Sequence, residues 1–199
     1  MFNSAPVSSV LLVLILLPSL YGLLYNPAFI GRTMLHPYSI HRGKDYFTIV
    51  TSGFVHASWA HLLFNLVTFY FFAFPLEKTI GSQSFFLIYA LSLVIADIPT
   101  LIKHKDDENY ASLGASGAIS GVLYSFILFY PQTEIYLFLI PIGIPAWIFA
   151  ILYLAGTALA AKYNWGNINH SAHFTGAITG FVVTLLLYPE FFQVFLSLF

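Results

Sequence analysis

Residues 112–130 read SLGASGAISGVLYSFILFY, a run without one charged side chain. A bilayer core about 30 Å thick is crossed by roughly 20 apolar residues in a helix, so the run has the length and character of a membrane span. Gly114, Gly117 and Gly121 put small residues along one side of that helix, which lets a neighbouring helix approach closely. Ser116 lies among them, and hydrogen-bonding groups inside a span are candidates for function.

Working outward, five further apolar stretches lie near residues 6–25, 59–76, 84–102, 135–158 and 171–188, giving six expected spans. Polar or charged breaks separate them at Arg32 to Tyr46, Glu77 to Gln83, Lys103 to Tyr110, Pro131 to Glu134 and Lys162 to Asn169. The first stretch lacks a positive leading region, and its apolar run exceeds the usual 7–15 residues of a secretory signal, so it reads as a transmembrane helix. Pro18, Pro99, Pro141 and Pro145 are expected to bend helices without forbidding them, because neighbouring helices satisfy the freed carbonyls. The fold class expected is all-α: a six-helix polytopic membrane bundle, one domain over residues 1–199, with an interfacial loop at 26–57.

Composition agrees. Of 199 residues, 59% are hydrophobic and 19% aromatic, with seven basic and eight acidic side chains, and the mean hydropathy is +0.83. Charged residues make up 8% of the chain, whereas soluble domains carry about 25%. A net charge of −1 with no basic tract leaves nothing to neutralise phosphates, which argues against nucleic-acid binding. The absence of cysteine removes disulfides, thiolate metal sites and cysteine nucleophiles.

Topology then brings distant residues together. Spans alternate in direction, so the second, fourth and sixth start on the same side of the membrane. His61 and Asn65 open the second, Ser116 the fourth and His173 the sixth. Serine is a weak nucleophile until a neighbouring base takes its proton, and histidine is the usual base. His61 and Asn65, four apart on a helix, share a face from which they can donate to a developing oxyanion. The unsatisfied amides at the start of the fourth span add positive partial charge there. Ala172, Gly176 and Gly180 give the sixth span a small face to match Gly117 and Gly121, close enough for Ser116 and His173 to bond. A serine hydrolase working at membrane depth follows. A metal hydrolase assembled from His56, His61, His170 and His173 lacks HExxH and a nearby carboxylate base. A channel or transporter would want polar groups along a helix rather than at one depth.

Three motifs resemble those of a known family. Gly114-Ala115-Ser116-Gly117 resembles the GxSG of rhomboid intramembrane serine proteases. Ala172-His173 followed by Gly176 and Gly180 resembles their AHxxGxxxG, and residues 56–65, HASWAHLLFN, resemble their HxxxxHxxxN. Glu77-Lys78 with Gly81-Ser82 is similar to the family's segment after the second span. The resemblance implies a Ser-His dyad without a third carboxylate, with Ser116 as nucleophile and His173 as general base and acid. It further implies oxyanion donation from His61, Asn65 and the Ser116 amide, and needs no cofactor or metal. Implied substrates are single-span membrane proteins, cut in or near the span with a small residue at the cleavage position. A non-catalytic relative that binds membrane proteins or acts in their quality control is the alternative; such relatives typically lose the Ser or the His, and both are present here. Two departures stand out: Phe47-Thr48 replaces a Trp-Arg pair common about nine residues before the first motif histidine, and Ser120 replaces an aromatic common four residues after the nucleophile.

The remaining polar residues read as structural. His56 suits a loop or interface stabiliser, His170 a solvated loop position, Asp97 an interfacial group within reach of Lys103, and Glu77 a tie at the cytoplasmic end of the second span. The positive-inside rule would put Arg32, Arg42, Lys44, Lys103, Lys105 and Lys162 in the cytoplasm. The resemblance implies the opposite, cytoplasmic termini and an active site opening outward. The expected location follows the resemblance: a multi-pass protein of a bacterial inner membrane with its site on the extracytoplasmic side.

Overall fold

The structure is a computed structural model and describes residues 4–136 and 142–191. Helix α1 runs Pro6–Leu24, with proline at its first position, where no amide partner is lost. Short helices α2 (Pro27–Thr33), α3 (Pro37–His41) and α4 (Thr48–Thr51) and a single 3-10 turn (Ser52–Phe54) fill the expected interfacial loop. Proline opens α2 and α3, and the Asn26 side chain caps α2 by accepting from the Phe29 amide at 3.3 Å.

The longest helical run, α5 (Trp59–Ala96), is not one rod. Gly81 has φ 78° and ψ 160°, a conformation that glycine adopts without strain, and the chain reverses there. The ring of Phe69 consequently lies 6.5 Å from Phe85 and 5.9 Å from Tyr89, although a straight helix would hold Phe69 and Tyr89 about 30 Å apart. The two arms correspond to the expected second and third spans, and α6 (Ile98–Lys103) extends the second arm past a turn at Asp97. Helix α7 (Ser116–Phe129) follows, then strands β1 (Glu134–Tyr136) and β2 (Gly143–Pro145), then α8 (Ala146–Tyr163) and α9 (His170–Leu187).

The bundle is all-α and polytopic. Pro6–Leu24, Trp59–Lys103, Ala146–Tyr163 and His170–Leu187 are long and apolar enough to cross a membrane, the second of them folded back on itself, and Ser116–Phe129 is a shorter apolar helix. One expected boundary is wrong. The fifth span is expected at 135–158, but among the described residues Glu134–Tyr136 and Gly143–Pro145 are strands and the helix runs Ala146–Tyr163. Glu134 pairs antiparallel with Pro145 and Tyr136 with Gly143, so the backbone of residues 143–145 is engaged in a strand pair rather than in a helix. Pro145, at ψ 133°, then sets the helix start. Residues 137–141 of that expected span lie outside the described residues.

Helix α7 is the centre of the molecule, and every residue from Gly117 to Leu128 is buried. At 14 residues it is about 21 Å long, shorter than the bilayer core. The chain before it reaches the bundle in an irregular conformation, which is tolerated where protein encloses it. Leu35 and Ser112 exchange two backbone hydrogen bonds at 2.8 and 3.1 Å, and the Gly114 amide donates to the Ser52 carbonyl at 2.9 Å. The interfacial segment is thus stitched to the approach to Ser116. At the other end of the bundle, Glu77 is 1% exposed. Its carboxylate accepts from the Val7 amide at 3.0 Å, the Ser8 amide at 2.6 Å and Ser82 Oγ at 2.7 Å. It caps the free amides that open α1.

Candidate active site

Ser116 is the first residue of α7 and His173 stands in the first turn of α9. Their side chains meet, with Ser116 Oγ 2.7 Å from His173 Nε2. The approach depends on glycine. A Cβ added to Gly176 would lie 2.0 Å from the Gly117 carbonyl oxygen, and one on Gly180 would lie 2.1 Å from that of Gly121. Backbone therefore touches backbone between α7 and α9, two turns in succession, directly below the pair.

The residue before Ala115 is also constrained. Gly114 has φ +114°, and an added Cβ would stand 2.6 Å from His61 Cε1 and 2.7 Å from Nε2. The His61 imidazole occupies the space a side chain at 114 would need, over the turn that leads into Ser116. Asn65 lies one turn along α5 and is 6% exposed. Its Nδ2 donates to the His61 carbonyl at 2.9 Å, which engages one of its two amide hydrogens. The amides of the first turn of α7 have no intrahelical acceptor and lend the Ser116 end positive partial charge.

His56 sits behind this group, wholly buried, with its ring 4.7 Å from that of His61 at 73°. The Ala115 amide donates to Nε2 over a long 3.5 Å, so Nδ1 carries the proton and donates to Ser19 Oγ at 2.9 Å. Ser19 in turn donates to the Ile15 carbonyl at 2.7 Å or the Phe54 carbonyl at 3.1 Å. One neutral imidazole thereby joins α1, the interfacial segment and the turn before the serine. Burial, reinforced by the neighbouring His61, holds the His56 pKa down to about 3.

Two expectations fail here. His170 is not a solvated loop residue: it opens α9, stacks edge-on to His173 with ring centroids 6.0 Å apart, and donates from Nε2 to the Trp165 carbonyl at 3.0 Å. Asp97 is not paired with Lys103, whose ammonium donates to Asn164 Oδ1 at 2.7 Å. Asp97 instead lines a cavity of about 20 Å³ beside Ser116, together with Ser52, Gly114 and Asn169, with room for one water molecule. The turn at Asp97, which redirects α5 into α6, sends the Lys103 side chain toward the α8–α9 connection.

Sequence reasoning missed Ser19, Ser52, Asn169 and Tyr153. Asn169 was open to discovery: it precedes an apolar helix and accepts from the Ala172 amide at 3.1 Å, as helix-capping residues do. Its side chain also exchanges hydrogen bonds with Thr100, 2.8 and 3.1 Å, which pins the start of α9 to α6. Ser19, Ser52 and Tyr153 gain their roles only from contacts far along the chain.

A serine bonded to the ring nitrogen of a histidine, at the positive end of a helix, has the groups that nucleophilic acyl transfer requires. Comparison with known proteins gives the family. The family model described as Rhomboid domain matches residues 43–190. The chain is 34% identical over 144 residues to putative rhomboid protease YdcA of Bacillus subtilis, covering 71% of this chain and 67% of that protein. It is 32% identical over 144 residues to Rhomboid protein 1, mitochondrial, of Saccharomyces cerevisiae, covering 69% of this chain but 42% of the yeast protein. Rhomboid protease GlpG of Haemophilus influenzae is 26% identical over 154 residues, with 75% of this chain and 73% of that protein covered. The match thus spans less than half the length of the yeast mitochondrial relative and about two thirds or more of the two bacterial ones.

Proposed function

The chain belongs to the rhomboid family, and from that premise we propose that it is an intramembrane serine endopeptidase that cleaves transmembrane-segment substrates through Ser116 and His173. The 2.7 Å contact between Ser116 Oγ and His173 Nε2 carries the reading, because it sets the hydroxyl within hydrogen-bonding reach of the atom that must take its proton. An unwound stretch of a single-span substrate presents its carbonyl carbon to Oγ. As the new C–O bond forms, the hydroxyl proton passes to Nε2 and the carbonyl electrons move onto oxygen. The Ser116 amide, His61 and Asn65 donate to that oxyanion. When the C–N bond breaks, imidazolium returns the proton to the leaving amine. Water, deprotonated by His173, then hydrolyses the ester and frees Ser116.

The test uses purified protein in detergent. A fluorophosphonate probe should label the wild type and neither Ser116→Ala nor His173→Ala, and only the wild type should cut a reporter transmembrane substrate. If folded wild type neither labels nor cuts, the catalytic reading falls and binding of membrane proteins without cleavage replaces it.

The proposed location is a bacterial inner membrane, with cytoplasmic termini and the site opening outward. The cysteine-free sequence makes this measurable. In intact cells an impermeant maleimide should label Lys105→Cys and should reach Lys78→Cys only after permeabilisation; the reverse pattern inverts the assignment.

A further inference from the structure

Helix α8 is the least enclosed of the long apolar helices, with 17% of its span buried against 28% for α1 and 39% for α9. In its middle turns two hydrogen bonds cross to α7. The Tyr124 hydroxyl donates to the Ala150 carbonyl, and the Tyr153 hydroxyl meets Ser120 Oγ at 2.7 Å. The direction of the second bond follows from the other contact of Ser120. Its Oγ donates to the Ser116 carbonyl at 2.7 Å, one turn back, and a hydroxyl has a single proton to give. Tyr153 is therefore the donor.

The resulting line runs from α8 through Tyr153 and Ser120 to the backbone of Ser116, whose side chain bonds His173. Ser120 is 3% exposed, and the Tyr153 ring lies 6.0 Å from Tyr124 and 5.7 Å from Phe149, so neither partner is free to drift. Phenylalanine at 153 would fill the same volume. A hydroxyl placed in apolar surroundings costs free energy unless it is bonded, and the bond Tyr153 makes ends on Ser120, whose own proton goes to the Ser116 carbonyl.

We propose that Tyr153 is a positioning residue: it registers α8 against the first turn of α7 through Ser120, and so sets where Ser116 Oγ stands relative to His173. The proposal rests on the reading of Ser116 and His173 as a dyad. The test compares wild type, Tyr153→Phe, Ser120→Ala and the double variant of the full chain. The saturation kinetics of fluorophosphonate labelling are split into maximal rate and probe affinity, and melting and amide hydrogen exchange are measured on the same samples. Each single variant should lower the maximal rate about 3–10-fold, the worth of one neutral hydrogen bond, with affinity unchanged. The double variant should be no slower than the slower single one. Amides of α8 and the first turn of α7 should exchange faster in Tyr153→Phe. An unchanged rate in Tyr153→Phe, effects that multiply in the double variant, or a rate loss accounted for by melting alone would overturn the proposal. If the wild type itself fails to label, the dyad reading fails, and exchange still decides the coupling: protection equal to wild type in Tyr153→Phe sinks it, and faster exchange in both helices sustains it.

Discussion

Replacing Gly176 by alanine adds one methyl group where the backbones of α7 and α9 touch. The new Cβ would lie 2.0 Å from the Gly117 carbonyl oxygen and 3.2 Å from the Gly117 Cα, both backbone atoms that cannot rotate aside. Carbon and oxygen need about 3 Å or more, so α7 and α9 must part by about 1 Å. Gly117 adjoins Ser116, and Gly176 lies three residues beyond His173, so the same displacement is imposed on the dyad. A 2.7 Å hydrogen bond lengthened by that amount is no longer one. A misplacement of about 1 Å costs on the order of 10²-fold in rate, and forced overpacking costs about 1–3 kcal/mol in stability. Fluorophosphonate labelling of the folded fraction, with melting measured on the same sample, reads both. Gly180→Ala makes an equivalent clash, 2.1 Å from the Gly121 carbonyl oxygen, but a turn further from the dyad. It should lose similar stability and less activity. Gly156→Ala meets nothing within 4 Å and serves as the control. Folded Gly176→Ala that labels at the wild-type rate would refute the argument that glycine contact sets the dyad distance.

Three further outcomes are expected. Asn65→Ala should slow labelling and cleavage by about 10²–10³-fold if its amide holds the oxyanion; a flat effect removes that role and leaves the dyad in place. His56 has its pKa held down to about 3 from 6.5, so in acid the unfolded chain takes up a proton that the folded chain refuses. Its contribution is complete above about pH 6.5 and declines as pH falls toward 3, by at most about 1.4 kcal/mol per unit; melting should drop between pH 7 and 5, less so in His56→Gln, and equal slopes in the two proteins would contradict this. Glu77→Ala strands the Val7 and Ser8 amides and should cost about 2–3 kcal/mol, seen as a lower melting temperature with labelling per folded molecule unchanged; an unaltered melting temperature would show that α1 needs no cap.

Much of the architecture was legible because lipid makes polar groups conspicuous. His61, Asn65, Ser116 and His173 stand out against apolar runs, and the alternation of spans places them at one depth without any coordinates. What stayed hidden depended on backbone direction or distant partners. The hydropathy of residues 135–158 is continuous, so it conceals the β1–β2 pairing that delays α8 until Ala146, although Gly143 and Pro145 marked the break. The reach of Lys103 to Asn164 follows from a turn at Asp97 that hydropathy does not register. The Tyr153–Ser120 bond joins residues 33 apart on different helices, and nothing local to either predicts it.

Because the interior of α7 is enclosed along its whole length, lipid does not bear on the body of the helix that carries Ser116. A thicker or thinner bilayer strains the hydrophobic length of the outer helices, and mismatch is absorbed by their tilt. The central helix, too short to span, has no such length to match. Bilayer thickness is therefore expected to reach Ser116 only at second hand, through the outer helices, and among the described residues α8 is the least buried of the long ones.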